Sequence, residues 1–500
     1  MKMKRFVCIF LVGCLLFGCL LTGCDGDTES TPPVLEGEGD IVRDADGNIV
    51  YDNIKLTMWS VTTGDDAATQ DSIVSQFNQM YKGMIEVEVV HYSRYDLESL
   101  LSNTMQFDAE NAPDLLFNHG SRTTEYNDRG WLQQVDFFFE KSGALYDKED
   151  FVPSLLESVT IDGIAYGMPI DCHSAVLCIR VDILEKNNLP IPTNYEELCQ
   201  VCDQAAELAA NNNLWIRGEN SEGYGATEWR KASTAEAYTA FPMSFGDMWV
   251  HEFVGYTAAI QNGASLVGND GMPAWNSQET VTGVQTLKEM IFPTASSTNK
   301  NALSKDYGSS YDVGDAPFMK GECIFKLQGP WAWQKELETF DTLLGKDGGS
   351  ANITTRSMSG LFAKNADAEY ANSIKGEGHS ISLMRTVTSY TEACAATLFM
   401  EYMANFSGIE WAKRGHLPAV RSVAASSEYT SDSAYTDYIQ YWGTPDDYVV
   451  VPPTKYYSYV DTYFKNALQQ ALAGSYKETA VSELFDSQYR DCVDYIELYS

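Results

Sequence analysis

Apolar positions in the first quarter of the chain switch between two periods, and each switch marks an element. Residues 54–59, Ile-Lys-Leu-Thr-Met-Trp, read as a buried strand; a loop of glycine and acids follows, and then Ile73, Val74, Phe77 and Met80 share one helical face. Residues 85–92 read as a second strand and 96–105 as a helix. After Ala112-Pro113 comes a third strand, Asp114-Leu-Leu-Phe-Asn118. Strand and helix therefore alternate as in parallel βαβ units, which places the chain in the α/β class. Ligands of such sheets sit beyond the carboxyl ends of the strands, so the loops after Trp59, Tyr92 and Asn118 are candidates for a site.

Further along, Asp162-Gly163 signals a turn before Tyr166-Gly-Met-Pro169, and residues 175–179 form an apolar run. Pro192-Thr193 opens a helix in which Thr193 and Glu196 have the spacing of a capping box. Helical periodicity returns around 281–291, 390–406, 459–472 and 477–498, while 345–349 and 365–378 read as surface loops. There is no internal repeat and no proline-rich linker, so a second domain must be reached by crossing back and forth.

The chain begins with Lys2, Lys4 and Arg5 ahead of an apolar run over 6–21, short of the ~20 residues of a spanning helix and laid out as a secretory signal. Leu21-Thr22-Gly23-Cys24 resembles the lipobox of bacterial lipoproteins, whose cysteine is acylated and becomes the new N-terminus. Cys14 and Cys19 compete, but bulky Phe17 stands two positions before Cys19, and Cys24 alone precedes a polar stretch. The expectation is a signal peptide over 1–23, then an acidic tether and a hairpin over 24–53, turning at Asp46-Gly47. A calcium loop around Asp44 is disfavoured, since Val42 and Asn53 stand where acids are needed.

Composition narrows the classes. Five hundred residues at roughly 150 per domain give two to four domains, and 44% hydrophobic with 12% aromatic residues describes a folded chain. Seventy acidic against thirty-four basic side chains, a net charge of −36, repel a phosphate backbone, so no nucleic acid is expected. Beyond Cys24 stand Cys172, Cys178, Cys199, Cys202, Cys323, Cys394 and Cys492, an odd set scattered through apolar runs. They read as buried thiols; the Cys199-x-x-Cys202 pair lies within a helical pattern without a second pair or histidine. Neither metal nor cofactor is expected.

Several segments, weak singly, occur in a fixed order: Trp59 closing the first strand; Ala112-Pro113-Asp114; Arg129-Gly130-Trp131-Leu132; Asp162 to Pro169; Pro192-Thr193-Asn194-Tyr195-Glu196-Glu197-Leu198; Phe318-Met-Lys-Gly321-Glu322; Gly329-Pro-Trp-Ala-Trp333; Gly415-His-Leu-Pro418; and Ala467 to Gly474. In that order they resemble the family 1 extracellular solute-binding proteins of ABC importers, a family that includes maltose-binding protein. The resemblance implies a Venus-flytrap fold with two lobes, each a mostly parallel sheet flanked by helices. One lobe would take 54–168 with 379–418 and the other 172–376 with 424–500, with hinges near 169–172, 377–379 and 419–423. It further implies a monomer, anchored outside the membrane, that captures a solute between its lobes and passes it to the transmembrane permease. A mono- or oligosaccharide is the expected solute, and no catalytic residue is expected. An extracellular carbohydrate-active enzyme, or the same fold holding a peptide or an anion, are the alternatives.

Candidate ligand contacts follow. Trp331 matches the tryptophan that stacks on a sugar ring in maltose-binding relatives, with Trp333 the expected core member; Trp59 ends the first strand. Asp247 and Trp249 lie beside the aromatic cluster Tyr238, Phe241 and Phe245. Asn118, His119 and Arg122 follow a strand end. Asp171 and His173 follow the crossing at Pro169, and Tyr456 follows Pro452-Pro453. Each competes with an ordinary role in the core, on the solvated surface, or as a satisfied structural histidine. Departures bear on the ligand: Ile179-Arg180 stand where relatives often have Tyr-Asn, the loop after Trp59 lacks lysine, and the strand at Asp114 ends without an aromatic.

Overall fold

The computed structural model describes residues 35–219, 225–244, 246, 248–305, 307, 313–344, 349–431 and 448–499. The signal segment and Cys24 lie outside these residues, and among the described ones no helix is long and apolar enough to cross a membrane.

The first sheet is built as the periodicity requires. Ile54–Ser60 pairs in parallel with Ile85–His91, Ile54 opposite Ile85, and on its other edge with Leu115–His119. Leu56 and Met58 are buried while Lys55 and Thr57 are exposed, so the strand has one wet face; Leu115, Leu116 and Phe117 are buried in succession, as a central strand must be. The connecting helix Gly64–Met80 buries Ile73, Val74 and Phe77, but Met80 ends it exposed. A late strand, His379–Met384, enters antiparallel to Leu115–His119 and also pairs with Leu132–Gln133 and Gly167–Pro169, making the sheet mixed.

The second sheet corrects the parallel expectation. Val176–Arg180 is flanked by Phe325–Gln328 and Ile353–Ser357 and runs antiparallel to both. The flanking strands, joined through helix Pro330–Leu344, do run parallel to each other; the earlier strand lies between them and removes their direct pairing. Order along the chain reveals the crossover helix but not a strand inserted from 145 residues upstream.

Between the sheets the chain passes through Asp171–Cys172, paired antiparallel to Leu417–Pro418, and returns through Ile374–Lys375 and Gly376 to Gly378, with His173 bridged to Glu377. The expected surface loop at 365–378 is thus wrong at its end: residues 374–378 are buried, because Ile374–Lys375 pairs with Tyr448–Val449. Of the other expected loop, 345–348 lie outside the described residues. The capping box is shifted by one position. Asn194 caps helix Tyr195–Ala210 by accepting from the Glu197 N–H, and Glu197 reaches back to the N–H and hydroxyl of Thr193. Near the start, Arg43 bridges Ile49 and the Asp44 carboxylate accepts from the N–H groups of Asp46 and Asn48, the geometry of a turn. The seven cysteines after Cys24 are all buried and unpaired.

Candidate ligand-binding site

Trp331 lies in the first turn of helix Pro330–Leu344, directly after a second-sheet strand. Its indole folds back over Gly329, where a side-chain carbon would stand only 2.2 Å from the ring, so glycine is required for this pose. The ring is half-buried and meets His173 edge-on at 5.5 Å, Trp249 at 6.2 Å and Phe253 at 6.3 Å. Trp333, two positions on and thus turned to another face of the helix, is buried against Val176, Cys178, Phe318 and Phe340. Trp249 is half-buried and packs on Phe253 at 5.6 Å. Together these rings form an aromatic wall whose half-buried members, Trp331 and Trp249, suit the C–H face of a flat solute.

His173 joins this wall to a polar centre. Asp171 is fully buried, and its carboxylate accepts from the backbone N–H of His379 at 3.0 Å and from the Trp411 indole, with His379 Nδ1 at 2.8 Å and His173 Nδ1 at 3.2 Å. Its main chain lies so close to Gly378 that a side-chain carbon there would come within 2.5 Å of the Asp171 carbonyl. Burial opposes ionisation of Asp171, but His379 and His416 outweigh it and hold the carboxyl well below the usual range. Burial is the main influence on His173 and pushes it down to about 4. On His416 burial also pushes down, yet Asp171 and Asp66 prevail and raise it above 6.5. His119, half-buried, approaches His379 at 4.9 Å between rings; burial and then Arg94 keep its pKa well below the ordinary value, so it is neutral.

A row of ions borders these histidines. Buried Glu252 receives Arg94 at 2.8 Å, Lys465 at 3.0 Å and Lys375 at 3.2 Å; Lys375 also meets Glu377, which accepts from the Ser121 hydroxyl. Among the sequence candidates, Asp171, His173, His119, Trp249 and Trp331 therefore come together. Asn118 and Arg122 are taken up by other partners: Asn118 donates to the Tyr126 hydroxyl, and Arg122 is held by Glu98 at 2.9 Å, Glu125 and Ser458 over the Tyr457 ring. Trp59 packs edge-on against Tyr92 at 5.4 Å. Tyr456 lines a separate pocket of about 370 Å³ with Asn127, Asp128, Asp270 and Lys455. Asp247 and Phe245 lie outside the described residues. Sequence reasoning missed Phe253, Glu252, Lys375, Glu377, His379, His416 and Trp411; scarcity was the available signal, since four of only six histidines gather here.

Comparison with known proteins gives the family and the fold. A family profile described as bacterial extracellular solute-binding protein matches residues 72–437. An uncharacterized ABC transporter extracellular-binding protein of Pyrococcus horikoshii is 24% identical over 222 residues, 44% of this chain and 48% of that protein, so the chain spans about half the length of this curated relative. Among solved structures, the sugar-binding protein MalE of Xanthomonas citri superposes with a TM-score of 0.66 at 15% identity, over 89% of this chain and 99% of that one. The GacH receptor of Streptomyces glaucescens, solved unliganded and with acarbose, gives 0.64 at 16%, over 88% and 99%. A solute-binding protein of Thermotoga lettingae bound with α-D-tagatose gives 0.63 at 17%, over the same shares. Its fold is theirs: α/β and two-lobed.

Proposed function

The chain belongs to the bacterial extracellular solute-binding protein family, and from that premise we propose that it is the capture component of an ABC importer, tied to the outer face of the cell membrane by an acylated Cys24. It binds a carbohydrate between its lobes, delivers it to the permease subunits, works as a monomer and turns nothing over. The observation that carries the reading is the half-buried Trp331 platform backed by Trp249, Phe253 and His173. The sugars held by the similar structures support a carbohydrate as cargo.

In this reading the lobes take the boundaries expected from the resemblance and rotate about the crossing segments near 169–172, 377–379 and 419–423. A solute touching both lobes favours the closed state; moving an open-to-closed ratio from 99:1 to 1:99 takes ~5.5 kcal/mol of differential affinity, within the ~8 kcal/mol of a micromolar complex. The test is a thermal-shift screen over mono- and oligosaccharides, followed by small-angle scattering with the best hit. A smaller radius of gyration at saturation, with the sugar recovered intact, is expected. An unchanged radius removes the closure mechanism, and a cleaved product replaces the receptor reading with an enzymatic one.

A further inference from the structure

The crossing segments bring together four buried side chains: Asp171, His173, His379 and His416, whose ligating atoms all lie within 4.8 Å of one another. We infer that they form a zinc site of three imidazole nitrogens and one carboxylate oxygen, clamping the segments that join the two sheets. A tetrahedral ion with bonds of about 2.0–2.1 Å spaces its ligand atoms about 3.3 Å apart, and it sets imidazole ring centres about 5.2 Å apart. Asp171 Oδ2 lies 2.8 Å from Nδ1 of His379 and 3.5 Å from Nδ1 of His416, and Nδ1 of His173 lies 3.2 Å from the other oxygen, Oδ1. Ring centres stand 4.7 Å apart for His173 and His379, and 5.4 Å for His416 with each of them. Little backbone movement is needed to receive the ion.

An independent observation comes from His416. It is 1% exposed, and its Nδ1 has no hydrogen-bond partner although it faces Asp171. Its Nε2 is engaged by the Asp66 carboxylate at 3.3 Å. A carboxylate on one ring nitrogen that leaves the other for the ion is how metal-bound histidines are oriented. The Trp411 indole, donating to Asp171, fixes the carboxylate in the same way. Three nitrogens and one oxygen in a compact buried site suit zinc over calcium or magnesium, which prefer oxygen donors. The assignment departs from the sequence reading, in which Asp171 and His173 touch solute and no metal is present.

The full chain, stripped with EDTA and then offered zinc alone, should retain one zinc per chain through gel filtration. Its cobalt form should show the intense visible bands of a tetrahedral ion. His173→Gln and His416→Gln should each weaken zinc by more than ~100-fold in competition with a chromophoric chelator, and Asp66→Asn, which keeps all four ligands, by ~10–100-fold. His91→Gln should change nothing. If a ligand variant fails to fold, the Asp66 variant carries the comparison. A folded chain that retains no zinc, a six-coordinate cobalt spectrum, or zinc affinity unchanged in the variants overturns the assignment.

Discussion

Glu252 offers a severe test of how the interior is held together. Its side chain is nearly fully buried and takes three cations at 2.8–3.2 Å, from the helix Arg94–Phe107, from strand Ile374–Lys375 and from helix Tyr457–Leu472. Glu252→Gln keeps the shape and removes the charge. Breaking a buried ion pair by removing one partner costs ~3–5 kcal/mol, because the other charge stays buried. Here each cation keeps a second acid: Glu377 for Lys375 at 3.0 Å, Asp461 for Lys465 at 2.9 Å and Glu98 for Arg94 at 3.6 Å. The loss should therefore fall at the lower end, ~3 kcal/mol, measured as the difference in unfolding free energy from urea titrations at pH 7. Acid supplies the second arm. Burial raises the pKa of Glu252, but Arg94, Lys465 and Lys375 overcome it and hold the group well below 4.5. A depressed folded pKa gives stability that is present above the unfolded value and lost as pH falls through the folded one. The wild-type advantage should stay level from pH 7 to about 5 and shrink below pH 4.5. A difference under ~1 kcal/mol at pH 7, or one that grows on acidification, refutes the account.

Trp331→Ala should weaken the sugar found by screening by ~1–3 kcal/mol in calorimetry while leaving the fold intact, whereas Trp333→Ala should cost ~3–5 kcal/mol of stability, as truncation of a buried aromatic does; undiminished affinity in a folded Trp331 variant removes it from the site. The seven buried cysteines should resist a thiol reagent until the chain unfolds, since burial pushes Cys199, Cys323, Cys394 and Cys492 up to about 12 and Cys172, Cys178 and Cys202 well above 9; one of them titrating in the native state counts against their core placement. Cys24→Ala should move the protein from the membrane fraction to the medium, and persistent fatty-acid labelling of that variant points to another cysteine.

Local periodicity carried the three parallel strands of the first sheet because they are neighbours in sequence: the alternation in Ile54–Ser60 and the apolar run Leu115 to Phe117 state their burial outright. It failed where pairing is remote. Nothing near Val176–Arg180 says that its partners come from positions 325 and 353. The cap at Asn194 was missed by one residue because Thr193 and Asn194 are both good caps, and the choice rests on which carboxylate turns back. The histidine centre was hidden for the same reason as the second sheet. Its members stand at 171, 173, 379 and 416, with no ligand spacing to read, and only the crossing segments unite them.

Charge decides among possible solutes more firmly once side chains are placed. An anionic ligand needs free guanidinium or ammonium groups, and Arg122 and Arg180 were the ones near the strand ends. Both are already used. Arg180 grips Asp182 with two nitrogens, at 3.0 and 2.8 Å, and gives a third to the Phe318 carbonyl at 2.9 Å, while Arg122 lies between Glu98 and Glu125. Lys375 and Lys465 are buried against Glu252, Glu377 and Asp461, and Lys326 against Asp315 and Glu336. Several of the thirty-four basic residues thus lie inside, each of these five against an acid. An anion would find these five cations already paired with acids, on a chain whose net charge is −36. A neutral, hydroxyl-rich ring with an apolar face pays no such penalty, and the aromatic wall around Trp331 is the surface it would rest on.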